Sequence, residues 1–206
     1  DLHSFPTRRS SDLEIDFLFL PLSKQKDVTT VVFPYSRFVC DVERLENDQL
    51  EKEGQGIIYT KAGNFERNVM NEKQIKRTKR LWKQHRKRLK KHIKSPNTVL
   101  IDCHSFSSDL YNCDICIGYN DDWSYNKEIV DGITEIFKER GYSVELNKPF
   151  SNSITTEMPF PYTSVMIEVN KRVYMNETTL RLENSPLKWT RWAGTLERIY
   201  DFLMKE

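Results

Sequence analysis

Short apolar runs alternate along the chain with longer segments whose apolar residues recur at helical spacing. The short runs are rich in β-branched residues and bounded by turn formers, which predicts strands. They cover residues 28–33, 57–60, 98–104, 113–118, 142–146 and 164–169. The longer segments predict helices over residues 71–94, 123–140 and 187–204. Strands that alternate with helices predict a three-layer α/β/α fold with a mainly parallel mixed sheet.

Positive charge is concentrated in the first predicted helix. Residues 71–94 hold twelve Lys or Arg and one Glu, a local balance of +11 in a chain of net charge +2. Ile75, Trp82 and Leu89 recur there at helical spacing, which predicts an amphipathic helix with a basic outer side. A solvated helix face is the favoured interpretation. Binding to nucleic acid or to an anionic surface is the alternative, but no recognised nucleic-acid motif accompanies the charge, so a nucleic-acid partner is not expected.

Length and composition favour one domain with a full core, because 38% of the 206 residues are hydrophobic. No apolar stretch reaches the roughly 18 residues of a membrane helix. A signal peptide, with its basic start and long apolar segment, is not evident. We therefore expect a cytoplasmic protein with no membrane partner.

Cys113 and Cys116 form a C-x-x-C pair. A structural zinc site needs a second such pair, and Cys40 and Cys103 are isolated in the sequence. The pair is therefore predicted to be reduced and buried in a short strand.

The start of the chain differs in character from the rest. Residues 4–13, Ser-Phe-Pro-Thr-Arg-Arg-Ser-Ser-Asp-Leu, resemble the translation of a common sequencing adapter. We expect residues 1–13 to be an artefact of that origin. Residues 14–206 are then expected to form a single domain that lacks its natural start.

Two predicted strands carry polar groups that could do chemistry. The run Asp102-Cys103-His104-Ser105 ends one of them, at the edge where α/β sheets place their ligands. Glu168 stands among apolar neighbours in the other. An imidazole and an embedded carboxylate suit metal-assisted hydrolysis. The alternatives are a hydrogen-bonded histidine at a strand end and a carboxylate turned to solvent on an edge strand.

Five stretches in order resemble the N-formylglutamate amidohydrolase family, whose fold is related to zinc carboxypeptidases and aspartoacylases. They are residues 36–44, 54–59, 102–105, 147–150 and 167–175. The resemblance implies hydrolysis of an N-acyl acidic amino acid, such as N-formylglutamate, to formate and the amino acid. It implies a zinc-bound water as the nucleophile, one divalent ion as cofactor and a small anionic substrate as partner.

The resemblance also implies roles for particular residues. His104 matches a metal ligand, and Glu168 matches the glutamate that acts as general base. Asp102 is expected to lie on the opposite face of its strand and to orient a neighbour rather than share the ion.

Arg37 and Arg44 match positions that hold the substrate carboxylate and polarise the scissile carbonyl, so Arg44 is expected to act in catalysis as well as binding. Glu43 replaces an Asn found in some members, which bears on specificity for the glutamate side chain. Without the resemblance, the two arginines would be surface ion-pair partners.

Three further positions match residues near the family's site and are expected to bind substrate: His85, Asn147 and Tyr174. For His85, a satisfied core histidine is an equal alternative.

The family's opening loop, which supplies the first metal histidine, has no counterpart here. Asp16 aligns near the acidic metal ligand, while Asp12 occupies the other spacing by accident of the adapter. The polypeptide as written is therefore expected to bind zinc poorly and to hydrolyse little. A non-catalytic anion-binding domain and a nucleic-acid binder that uses the basic helix remain the alternatives.

Overall fold

The computed structural model describes residues 12–62 and 65–205. The adapter-like segment lies outside the described residues except for Asp12 and Leu13. The described chain divides into two compact units. Unit 1 comprises residues 12–30, 94–155 and 159–205, and unit 2 comprises residues 31–93 and 156–158.

Five α-helices and eight strands lie within the described residues. The helices are α1 (Ile15–Leu18), α2 (Leu20–Ser23), α3 (Glu72–His92), α4 (Lys127–Glu139) and α5 (Pro186–Leu203). The strands are β1 (Lys61–Ala62), β2 (Phe65–Glu66), β3 (Val99–Phe106), β4 (Ile115–Gly118), β5 (Val144–Leu146), β6 (Thr163–Asn170), β7 (Met175–Asn176) and β8 (Arg181–Leu182). Two short 3₁₀ helices, Gln49–Glu53 and Lys171–Val173, complete the set. No helix among these is both long and apolar enough to cross a membrane.

The main sheet of unit 1 has the strand order β3-β6-β4-β5. The β3–β6 and β4–β5 pairs are parallel, and the β6–β4 pair is antiparallel. The prediction of a mixed α/β fold with a mainly parallel mixed sheet is thus confirmed.

Strand β6 is buried along its whole length because it lies between two other strands. Its apolar side chains Val165, Ile167 and Val169 share one face of the sheet with Ile115 and Ile117 of β4, and all five belong to the main core. Helices α4 and α5 pack on this face through their apolar residues. The other side chains of β6 alternate onto the opposite face.

Helix ends follow from local signals in the sequence. Asn71 caps α3 and forms a reciprocal capping box with Gln74. Asn126 caps α4, which explains why that helix begins later than the predicted residue 123. Ser185 caps α5 ahead of a proline, and Gly141 adopts a φ of 77° just beyond α4. The three long helices were therefore predicted with errors of a few residues at their ends.

Two of the predicted strands are wrong. Residues 28–33 have no strand structure and are mostly half-buried or exposed. Within residues 57–60 the backbone forms one isolated antiparallel β-bridge, between Tyr59 and Gln55. Ile57 packs in a small cluster with Cys40 and Val42 instead. High β-propensity does not make a strand where no second strand lies alongside.

The segment 147–155 packs closely on the polar face of the sheet at Gly118. A Cβ atom added to Gly118 would lie 2.6 Å from the backbone oxygen of Asn152 and even closer to Cε of Met166. Glycine is therefore needed at this position for the close approach of the two backbones.

We predict that Gly118→Ala lowers the free energy of unfolding by about 1 to 3 kcal/mol, because the added methyl group overpacks the contact. Gly194→Ala is the matched control: Gly194 lies within α5, and its new Cβ would meet the side chain of Arg140 at 3.6 Å, an ordinary van der Waals distance. The control should stabilise the protein by about 0.5 to 1 kcal/mol. Urea unfolding of both variants measures the difference, and equal effects of the same sign would contradict the prediction.

Candidate active site

The register of the main sheet brings the two predicted catalytic groups to one face. His104 of β3 is the Cα partner of Glu168 of β6, which in turn is the partner of Cys116 of β4. Side chains of paired residues project from the same face of a sheet. The imidazole and the carboxylate are therefore neighbours on the face opposite the main core, and both are buried.

Asp102 lies on this same face and holds the His104 ring. Its Oδ1 lies 2.9 Å from Nε2 of His104, and its Oδ2 accepts a hydrogen bond of 2.9 Å from the backbone N–H of Ile154. The expectation that Asp102 faces away from His104 is wrong, because residues two apart on a strand project from the same side. The expectation that Asp102 orients a neighbouring group fits these contacts.

The hydrogen bonds also define the charge of Asp102. Burial alone would raise the pKa of this carboxyl, but the charge of His104 and the hydrogen bonds from His104 and Ile154 hold the pKa below its ordinary value. An ionised Asp102 can only accept hydrogen bonds, and with that carboxylate Nε2 of His104 is the donor of the 2.9 Å contact.

The second ring nitrogen of His104 faces another carboxylate. Nδ1 lies 3.3 Å from Oδ2 of Asp12, whose Oδ1 accepts a 2.7 Å hydrogen bond from the backbone N–H of Ser105. With a proton fixed on Nε2, a neutral ring would point its Nδ1 lone pair at a carboxylate oxygen. That arrangement is repulsive unless a cation, either a proton or a metal ion, lies between the two atoms.

These donors suit a divalent metal ion. Imidazole nitrogen and carboxylate oxygen are ordinary zinc ligands, and a ligating histidine usually donates its other N–H to a carboxylate, as His104 does to Asp102. The residues of this site that would hold the ion are Asp12 and His104.

Asp16 was the expected acidic ligand. The structure places it exposed in the first turn of α1, and no contact described for it leads to His104. Asp12 is brought to the histidine instead. The sequence resemblance had placed Asp12 at the other possible spacing of the acidic ligand, which was attributed to an accident of the adapter-like segment.

Cys116, the neighbour of Glu168, has a neutral side chain. Burial raises the pKa of its thiol to about 11, and Sγ donates to the backbone oxygen of Phe150 at 3.2 Å. Cys113 is also buried and reduced, as the sequence predicted. The Cys116 thiol beside Glu168 thus helps to hold the segment 147–155 in place through Phe150, and its raised pKa makes it a poor nucleophile.

Asn147 and Tyr174 make hydrogen bonds to the backbone of unit 1. The Oδ1 atom of Asn147 accepts from the N–H of Tyr119 at 2.9 Å, and Asn147 itself has a φ of 53°. The hydroxyl of Tyr174 is buried and donates to the carbonyl of Leu13 at 2.8 Å, next to Asp12. Both side chains therefore hold backbone segments near the site in place.

The two predicted arginines lie in unit 2 and have acidic partners there. Nε of Arg44 lies 3.6 Å from the buried carboxylate of Asp41 and donates to the carbonyl of Gln55 at 3.2 Å. Burial alone would lower the pKa of Arg44, but the charge of Asp41 raises it above its usual value. Arg37 pairs with Glu43 at 3.5 Å.

His85 is buried in unit 2 on the inner side of α3. Its ring meets the ring of Phe33 edge-on, with 5.4 Å between centroids. This contact accords with the core interpretation and does not by itself assign a substrate role.

Sequence analysis missed a cluster that anchors the end of β3. Glu177 accepts hydrogen bonds from both hydroxyls of Ser107 and Ser108 and from the N–H of Ser108. Burial alone would raise the pKa of Glu177, but the hydrogen bonds from Ser108 and Ser107 and the charge of Lys171 lower it. Lys171 is itself fully buried. The sequence offered one signal for this cluster, namely the lysine within residues 167–175, the last of the stretches that resemble the family.

Comparison with known proteins agrees with the fold and identifies the family. The family model described as N-formylglutamate amidohydrolase matches residues 2–175. The crystal structure of N-formylglutamate amidohydrolase from Ralstonia eutropha JMP134 is similar with a TM-score of 0.76 and 16% identity, over 94% of this chain and 83% of that chain. The structure of gene product Atu2144 from Agrobacterium tumefaciens gives a TM-score of 0.63 and 17% identity, over 94% and 78% of the two chains. No curated protein matches the chain in sequence.

At such identities the two solved structures show a shared fold, while the family model extends over most of the chain, including the strands that carry His104 and Glu168. The chain therefore belongs to the N-formylglutamate amidohydrolase family and is a hydrolase.

Proposed function

We propose that this amidohydrolase cleaves the amide of a small N-acyl acidic amino acid, such as N-formylglutamate, to formate and the amino acid. We propose further that the reaction uses one divalent metal ion, which we take to be zinc. The single observation that carries the metal dependence is the placement of His104 between two carboxylates. Asp102 holds Nε2 at 2.9 Å, and Asp12 faces Nδ1 at 3.3 Å.

Asp12 and His104 are the proposed ligands of the ion. A bound zinc ion supplies Lewis acidity and lowers the pKa of a coordinated water to about 7. Asp102 keeps the proton of His104 on Nε2, so that Nδ1 is free of a proton when the ion binds. Asp12 is held for the same purpose by the N–H of Ser105.

Glu168 is the proposed general base and acid. It lies beside His104 in the strand register and is 8% exposed. A carboxylate in such surroundings can accept a proton from the attacking water and pass it to the leaving nitrogen. The neighbouring Cys116 thiol does not compete for this proton, because burial raises its pKa to about 11.

Arg37 and Arg44 are proposed as the groups that bind the substrate carboxylate and polarise the carbonyl. This assignment rests on their match to the family's motif. Arg44 stays charged because Asp41 stabilises its guanidinium, and a planar guanidinium suits two-point binding of a carboxylate. His85, Asn147 and Tyr174 are retained as proposed substrate-binding residues on the same resemblance alone.

We predict that Glu168→Gln lowers kcat for N-formylglutamate by about 10²- to 10⁴-fold, because the proton acceptor is lost while shape is kept. Substrate affinity, measured by calorimetry, should stay within a few fold. Glu145→Gln serves as the control, since Glu145 is an exposed carboxylate in the same row of the sheet, on β5. Full turnover in the Glu168 variant would contradict the assignment of Glu168 as the general base. Binding of N-formylglutamate by the wild-type protein without any turnover would instead support the non-catalytic anion-binding domain.

Metal binding is tested separately from turnover. We predict that His104→Ala and Asp12→Asn each weaken zinc binding by at least about tenfold in a chelator-competition assay, because each removes one of the proposed donors. His92→Ala, which removes an exposed histidine at the end of α3, should leave the zinc affinity unchanged. Zinc at 100 times its Kd should also stabilise the wild-type fold by about 2.7 kcal/mol. Equal zinc affinity in all three variants would contradict the assignment of the ligands.

A further inference from the structure

We propose that Ser164 is a positioning residue for His104, acting through the backbone of Ile154 and the carboxylate of Asp102. The proposal rests on the proposed function in one respect, namely that His104 is a metal ligand. It concerns the hydrogen bonds that determine how the histidine ring is held.

Ser164 fixes the carbonyl side of Ile154. Its side chain is fully buried on β6, and Oγ donates to the carbonyl of Ile154 at 2.7 Å. A hydroxyl has one proton, so the 2.7 Å contact between Oγ of Ser164 and Oγ of Ser153 must have Ser153 as its donor. One serine hydroxyl thus engages two successive residues of the segment that packs over the sheet.

Ile154 transmits this position to the histidine. Its N–H donates to Oδ2 of Asp102 at 2.9 Å, and the other oxygen of the same carboxylate accepts from Nε2 of His104 at 2.9 Å. Both backbone polar groups of Ile154 are therefore used, one by Ser164 and one by Asp102. A shift of this residue would move or release the carboxylate that sets the tautomer of the ring.

Ser153, the residue before Ile154, is also held in place by hydrogen bonds. The amide of Asn120 donates to the carbonyl of Ser153 and accepts from its N–H, both at 3.1 Å. The same amide donates to Oγ of Ser124 at 2.8 Å. The Ser124 hydroxyl in turn donates its own hydrogen bond to Oδ1 of Asp122. Each donor in this chain has one acceptor, which gives the network a single arrangement.

A structural role alone explains Ser164 less well. It stands in a strand whose other face is apolar core, and alanine would fill the same space on β6. A buried hydroxyl is costly unless it is hydrogen-bonded. Both of its contacts lead to residues 153 and 154 and from there to the site.

The experiment compares Ser164→Ala with Thr134→Val. Thr134 of α4 is also buried and also donates one 2.7 Å hydrogen bond to a backbone carbonyl, but its contact is within its own helix. Two measurements are made on the full chain: zinc affinity by chelator competition, and ring ¹⁵N and N–H signals of His104 in the zinc-free protein. The chain has four histidines, so His104→Ala identifies the signal.

We expect Ser164→Ala to weaken zinc binding by about 10- to 100-fold and to weaken or shift the Nε2–H signal of His104. Both variants should lower the melting temperature by similar amounts, because each loses one buried hydrogen bond, but Thr134→Val should leave the zinc affinity and the ring signals unchanged. Unchanged zinc affinity and ring signals in Ser164→Ala would overturn the proposal.

Two further outcomes are also decisive. If the wild-type protein binds no zinc, the proposed function fails, while the ring signals still decide whether Ser164 positions His104. If Ser164→Ala does not fold, Ser153→Ala takes its place, because it removes the donor to Ser164 and leaves the bond to Ile154. It should then change the same signals in the same direction by a smaller amount, and no change would count against the proposal.

Discussion

The arrangement of polar groups in the candidate site depends on one buried imidazole that lies between two carboxylates. Two negative charges placed this close, with little water to screen them, repel each other unless a cation lies between them. A doubly protonated His104 can satisfy both Asp102 and Asp12, and so can a divalent ion that takes the place of the proton on Nδ1. The carboxylates are also neutralised in part by backbone N–H groups, from Ile154 on one and Ser105 on the other.

The sheet makes this arrangement possible through simple alternation. Strand β6 lies between β3 and β4, so both of its edges are paired, and all of its residues are buried. One face packs on α4 and α5 through Val165, Ile167 and Val169, which stabilises the fold. The other carries Glu168, in register with His104. Because stability comes from one face, the opposite face can hold costly polar groups without loss of the core.

Patterns within a few residues of each other were enough to predict much of this structure. The apolar run around Glu168 and the run ending at His104 identified the two strands that carry the site, and the helical spacing of apolar residues predicted the three long helices. Contacts between residues far apart in the sequence could not be predicted from such local patterns. Asp12 lies 92 positions from His104, and Ile154 lies 52 positions from Asp102. The predicted strand over residues 28–33 is wrong for a related reason, since a strand requires a partner strand and no local pattern shows whether one is present.

The chemistry of the site also constrains which hydrolytic route is open. A covalent route through sulfur would need a thiolate near the catalytic groups. Burial, together with the charge of Asp102, raises the pKa of Cys103 to about 12, and burial, together with the charge of Glu168, raises that of Cys116 to about 11. The carboxylates of Asp102 and Glu168 therefore help to suppress both cysteines as nucleophiles. This fits the proposal that water is the nucleophile and that Glu168, which is in register with His104, takes its proton.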